Sequence, residues 1–270
     1  MKTLHIKIIG KGQPVIFLHA FPLSSFIWDG LKPVKNFQYI FIDYPGFGKS
    51  PLYSWAQSLP RVAEKIVPII KEINNGKYIL VGISMGGYLS FEIFKLISRQ
   101  ISGMVLISTH EQGDSKINKE NRQGIIKKIS KEGISFLADS LSRLLLGVTT
   151  QHKRKFMVQK IKAKIQKTST KSIIYSEKAM ANRPSRTALL NKISIPTLLL
   201  VGSEDKVLQP EIMQKMHKRI KLSRLEFIPH AGHLIPLEQP KIFQLLLREF
   251  LNFYKGSTYL AEKKLSKKAY

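Results

Sequence analysis

The sequence predicts an α/β protein, with a mostly parallel twisted sheet flanked by helices, and three observations carry that prediction. Short runs rich in Ile, Val and Leu alternate along the chain with segments of helical period. One run, residues 78–81, is apolar at every position, as a strand buried on both faces requires. The chain has 270 residues, 43% hydrophobic and 23% charged, enough for one large domain with a substantial core.

Taken in order, residues 4–9 and 15–19 read as strands joined by the turn GKGQP. Residues 39–43 form a third strand and run into the loop DYPGFGKS. Residues 58–73 read as a helix with Leu59, Val62, Ile66, Ile69 and Ile70 on one face, and Pro60 suits its first turn. The 78–81 strand then leads through GISMGG to a helix bearing Tyr88, Leu89, Phe91, Phe94 and Ile97. Further strands are expected at 103–108, 197–202 and 224–228, and a last helix at about 240–254. Between 111 and 190 no strand is evident. That stretch reads as a helical insertion of short, polar helices over one end of the sheet. The core is therefore expected at 1–110 and 191–254, and 255–270 reads as a basic tail.

Gly82-Ile83-Ser84-Met85-Gly86 fits G-x-S-x-G in the strand–turn–helix context that gives the motif meaning. A serine in so sharp a turn projects its hydroxyl out of the sheet, at a helix N-terminus that favours developing negative charge. Serine alone is a poor nucleophile and needs a base and an orienting acid. The base is expected at His233 in PHAGHLIP, with His230 as the competing choice. The acid is expected at Asp205 in VGSED, with Glu204 as its alternative. Ser, acid and His then follow in the chain order of one known triad arrangement. Two N–H donors for an oxyanion are expected from Met85, directly after the nucleophile, and from Phe21 in the loop IFLHAFPLS, with His19 bracing that loop. DYPGFGKS is not a phosphate loop: the glycines are too close together and Pro51 follows the Lys-Ser pair.

Cysteine is absent, so disulfides and thiolate metal sites are excluded. The N-terminal segment carries Lys2, His5 and Lys7 where a signal peptide would be apolar, which leaves a cytoplasmic location as the expectation. The net charge is +26. Within 111–190, eighteen Lys or Arg stand against six Asp or Glu. Such a field favours acidic partners. Nucleic acid is disfavoured, because no recognition module is present and the aromatic residues lie in apolar runs.

The motifs LHAFPL, DYPGFGKS, GISMGG, VGSED and HAGH together resemble the α/β-hydrolase superfamily over about residues 4–254. LHAFPLSSFIW and AMANRPSR look like its small esterase, enol-lactonase and cofactor-free perhydrolase branch. The resemblance implies an α/β-hydrolase fold with a cap domain at 111–190, a Ser84–Asp205–His233 triad, no metal or organic cofactor, and a small-molecule ester or lactone as substrate. Serine at 84 sets the chain apart from relatives whose nucleophile is a carboxylate. Ala20 stands where the family more often has glycine, and the usual first edge strand is not expected. The basic cap is similar to the lids of pimeloyl-ACP methyl ester esterases. An acidic acyl carrier protein would then meet Arg143, Lys153, Arg154, Lys155 and Lys160, and an anionic membrane surface is the other partner expected of such a strip. A hydrolase-fold binding protein with little turnover is the alternative of another class.

Overall fold

The computed structural model describes residues 4–255. The tail expected at 255–270 lies outside the described residues except for Lys255. Seven strands form one sheet in the order β1-β3-β2-β4-β5-β6-β7. They are β1 (Ile6–Gly10), β2 (Gln13–Leu18), β3 (Phe37–Ile42), β4 (Tyr78–Ile83), β5 (Ile101–Ile107), β6 (Thr197–Gly202) and β7 (Ser223–Ile228). Every neighbouring pair is parallel except β1 and β3. β1 occupies the edge, and β3 inserts between it and β2, so the short GKGQP turn joins strands that do not pair.

Burial follows position. All six residues of β4 and all seven of β5 are buried, whereas β1 exposes Lys7 and Ile8 at the edge. Alternate side chains feed two cores. Ile16 and Leu18 of β2 join one face with α1 (Leu59–Ile73), α2 (Met85–Ile97) and the later helix at Pro210–Arg219; Val15 and Phe17 join the other with the C-terminal helix at Pro240–Lys255. Pro60 sits in the first turn of α1 as expected, and a second proline, Pro68, lies inside it on the exposed side.

Between β5 and β6 the chain builds α3 (Lys116–Glu132), α4 (Ser135–Leu144), α5 (Val148–Lys153), α6 (Lys155–Gln166), α7 (Thr170–Ala181) and α8 (Thr187–Leu190). The expectation of short, polar helices is corrected here: α3 has 17 residues, α6 and α7 have 12 each. Their polarity is confined to the outer faces. Leu137, Ala138, Leu146, Ile161, Ile165 and Ile173 are buried and continue the two cores. α9 (Pro210–Arg219), α10 (Ile235–Glu238) and α11 (Pro240–Lys255) complete the chain. No helix among the described residues is long and apolar enough to cross a membrane.

Candidate active site

The site is assembled where parallel strands end. The N–H of Ser84, just beyond β4, bonds to Ile107 O at 2.9 Å, and the N–H of Ser108, just beyond β5, bonds to Leu200 O at 2.9 Å. Three strand ends therefore share one rim, with the Ser84 turn, the 203–208 loop after β6 and the 229–234 loop after β7 opening from it.

Ser84 has φ +53° and ψ −118°, a region a non-glycine residue enters only when its surroundings enforce it. They do so by gripping its carbonyl, which accepts from Gly87 N–H at 2.8 Å, Tyr88 N–H at 3.2 Å and Thr109 Oγ1 at 2.8 Å. Glycine at 86 is required by close approach: a Cβ there would collide with Leu18 O, a backbone atom at the end of β2. That contact sets the 19–23 loop directly beside the start of α2. Met85, the first residue of α2, has an N–H with no intrahelical acceptor.

His19, fully buried, organises the loop. Its Nδ1–H donates to Ala20 O at 3.1 Å and its Nε2 accepts from Tyr44 N–H at 3.2 Å, with the Tyr44 ring stacked 3.8 Å away. One neutral tautomer satisfies both bonds. Burial lowers its pKa to about 4, against the opposing charge of Asp43 and the Ala20 bond. Ala20 is buried and lies outside the left-handed region, so its methyl brings no backbone strain where the family more often has glycine. Asp43 holds the neighbouring loops together, accepting from Ser25 N–H at 2.8 Å and Lys49 N–H at 3.1 Å and pairing with His5 Nδ1 at 2.9 Å. DYPGFGKS is thus a structural turn built on its own aspartate.

His233 Nδ1 lies 2.9 Å from Asp205 Oδ2 and 3.2 Å from Oδ1, with both side chains almost wholly buried. Burial alone would raise the Asp205 carboxyl; the charge and hydrogen bond of His233, with the Leu208 N–H, outweigh it and hold the pKa below the ordinary range. His233 Nε2 is buried with no hydrogen-bond partner, so Ser84 and His233 do not bond to each other here. Contacts of that kind often tighten only when substrate binds. The competing residues are engaged elsewhere. Glu204 accepts from Thr149 N–H at 2.8 Å and Thr149 Oγ1 at 2.5 Å, and exposed His230 sits 3.7 Å from Glu204.

Two groups near the rim were not anticipated from sequence. Tyr88, one turn into α2, places its hydroxyl 3.3 Å from His110 Nε2; Arg183 Nη2 is 3.2 Å from the same nitrogen, and its guanidinium lies 4.2 Å from the Tyr88 ring centre. Arg183 also binds Asp114 at 2.6 Å, and Arg122 joins Asp114 at 2.5 Å to Glu177 at 2.7 Å. The second group is the carboxylate of Glu238, beside the His233 loop. A lone acid within the apolar run LIPLE was the available signal for it.

Of the basic residues expected to meet an acidic partner, Arg143, Lys153, Lys155 and Lys160 are exposed. Arg154 is a correction. Its guanidinium turns inward, to Leu237 O at 3.2 Å, Glu238 O at 2.7 Å and Thr150 Oγ1 at 3.2 Å. Bare carbonyls near the end of α10 recruit it more strongly than solvent does.

A strained serine between strand and helix, with a buried His–Asp pair on later strand ends, defines the architecture of an α/β hydrolase. A family model for the alpha/beta hydrolase fold matches residues 13–240, and the chain belongs to that family. A thermophilic esterase from Thermogutta terrifontis, solved with malate bound, is 31% identical, superposes with a TM-score of 0.86, and is matched over 93% of each chain. A 2-hydroxy-6-oxo-6-(2'-aminophenyl)hexa-2,4-dienoic acid hydrolase from Metapseudomonas resinovorans is 27% identical over 90% of this chain and 85% of its own. A pimeloyl-[acyl-carrier protein] methyl ester esterase from Wigglesworthia glossinidia brevipalpis is 25% identical over 93% and 98%.

Proposed function

We propose that the chain is a carboxylic ester hydrolase working through Ser84, His233 and Asp205. The observation that carries this is the buried His233–Asp205 pair at 2.9 Å, on the same rim as the strained Ser84 turn. His233 Nε2 takes the Ser84 proton as Oγ attacks the ester carbonyl. The Phe21 and Met85 N–H groups receive the oxyanion. His233 then protonates the leaving alcohol, activates water against the acyl-enzyme and returns the proton to Ser84, while Asp205 fixes the ring and its tautomer. Kinship with the Thermogutta esterase supports a small ester as substrate. Steady-state hydrolysis of p-nitrophenyl esters from acetate to octanoate tests it. Activity is expected in the wild type and absent in Ser84→Ala; turnover that survives the substitution would overturn the assignment.

A second reading is favoured by the exposed Arg143, Lys153, Lys155 and Lys160 on the helical insertion, which serves as a cap, together with kinship to the esterase acting on pimeloyl-acyl carrier protein. An acidic carrier would be steered to this face by charge, raising its association rate at low salt. Raising ionic strength should then sharply lower kcat/KM for a carrier-linked ester and barely change that for a free short-chain ester. Equal salt response on both substrates would remove the carrier.

A further inference from the structure

Three consecutive backbone N–H groups centred on His233 all find acceptors outside their own loop. Gly232 N–H donates to Glu238 Oε1 at 3.0 Å and Leu234 N–H to the same oxygen at 3.1 Å, while His233 N–H donates to Leu145 O at 3.2 Å. The second carboxylate oxygen of Glu238 accepts Gly147 N–H at 2.7 Å. Glu238 is 3% exposed, and the Arg154 guanidinium holds its main-chain carbonyl. Gly147 and Gly232 stand backbone against backbone: a Cβ on Gly232 would collide with Gly147 N. One carboxylate thus spans both flanks of His233 and the cap turn at 145–147.

We propose that Glu238 is a positioning residue for His233, tying the loop that carries the base to the cap turn and fixing the imidazole relative to Ser84 and Asp205. The proposal rests on the triad reading given above. Glu238 reaches no reacting atom; it acts through the two peptides that bracket the base. A carboxylate suits the task because it has only acceptors, and three N–H groups converge on it. An amide in its place presents one oxygen and one NH2. Whichever way it turns, either the base loop or Gly147 faces a donor instead of an acceptor.

The test is a double-mutant cycle on hydrolysis of a p-nitrophenyl ester, using wild type, Glu238→Gln, His233→Ala and the double variant, with melting temperatures recorded alongside. Ser84→Ala is the control for the triad reading: activity surviving there defeats that reading whatever Glu238 does. Where Ser84→Ala and His233→Ala lose activity, Glu238→Gln is expected to lower kcat about 10- to 100-fold with KM within about twofold, as for a misplaced catalytic group. In the His233→Ala background the same change is expected to alter the residual rate less than about twofold, because the group it positions is gone. An unchanged kcat in Glu238→Gln, or the same fold-loss in both backgrounds, would overturn the proposal. Glu238→Asp is the second variant should the amide not fold. Its charge is kept but its reach is one methylene shorter, so kcat is expected to fall with KM held; wild-type kcat in Glu238→Asp would equally overturn it.

Discussion

His19 donates from Nδ1 to the carbonyl oxygen of Ala20 at 3.1 Å, and that carbonyl belongs to the same peptide as the Phe21 N–H. Leu23 N–H reaches the same oxygen at 2.9 Å. In a planar trans peptide the C=O and N–H point in opposite directions, so two bonds on the oxygen set the direction of the Phe21 donor. A buried histidine can thereby aim the N–H to which the proposed mechanism gives the oxyanion.

His19→Ala is therefore expected to lower kcat of ester hydrolysis about 10- to 100-fold. This is somewhat less than the roughly 100- to 1,000-fold seen when an oxyanion donor is deleted outright. Affinity for a phosphonate transition-state analogue should weaken in parallel, and KM should change little. A folded His19→Ala protein with wild-type kcat would show that the loop holds its shape without the imidazole.

Asp205 and Glu204 are neighbours with different partners, His233 and Thr149, and substitution should separate them. Asp205→Asn leaves His233 without its anionic partner and is expected to cost about 1,000- to 10,000-fold in kcat, as in other triads. Glu204→Gln loses charge-assisted bonds to Thr149 on the helical insertion and should cost about 1–2 kcal/mol of stability. Well below its melting temperature it is expected to keep kcat within a few-fold. If Glu204→Gln proved as inactive as Asp205→Asn, the acid would be misassigned.

Most of this architecture was legible because strand and turn chemistry are local. The apolar run at 78–81 and the glycines around Ser84 mark the strand–turn–helix, and the proposed acid and base lie in strand-end loops whose sequences, VGSED and PHAGHLIP, carry them. What escaped reading depends on distant partners. Arg154 looks like one more surface cation in QHKRKFMVQK, yet it turns inward because the carbonyls of Leu237 and Glu238 lie beside it in space. The Tyr88–His110–Arg183 group is hidden for the same reason, and for Glu238 the run LIPLE shows a lone acid but not its partners, which lie 4 to 91 positions away. α9 escaped for another: MQKMHKR is nearly all polar, with only Met213 and Met216 buried on its inner face.

Acid should destabilise the fold before Asp43 and Asp205 are titrated. His19 and His110 both have pKa values lowered from 6.5 to about 4, His19 by burial and His110 by burial and the Arg183 charge. The unfolded chain therefore binds protons first, and stability falls as pH drops from about 6.5 to 4, by at most about 3 kcal/mol per histidine. Glu177 and Glu238, raised by burial, act in the opposite direction within their own windows. Asp43 and Asp205, held low, add their losses only below about pH 4. The urea midpoint is expected to be clearly lower at pH 4.5 than at pH 7, and His110→Gln should flatten that dependence. An equally steep fall in His110→Gln would place the acid lability elsewhere.

Two glycines in helices should respond in opposite senses to the same added methyl. Gly86 lies in the first turn of α2, where a Cβ would be driven into the carbonyl group of Leu18 at the end of β2. Neither partner is a flexible side chain, so relief requires separating α2 from the strand whose loop carries Phe21. Gly86→Ala is expected to cost about 3 kcal/mol or more, in the range of overpacked cores, and to reduce esterase activity in whatever protein folds. Gly124 lies inside α3, exposed, with nothing within 4 Å of the added carbon. There alanine removes the conformational freedom of glycine in the unfolded chain and should stabilise by about 0.4–1 kcal/mol. Thermal unfolding of the two variants decides the matter. A destabilised Gly124→Ala would mean that α3 is not a regular helix at this point, and a neutral Gly86→Ala would mean that the elbow and β2 are less closely apposed than the structure has them.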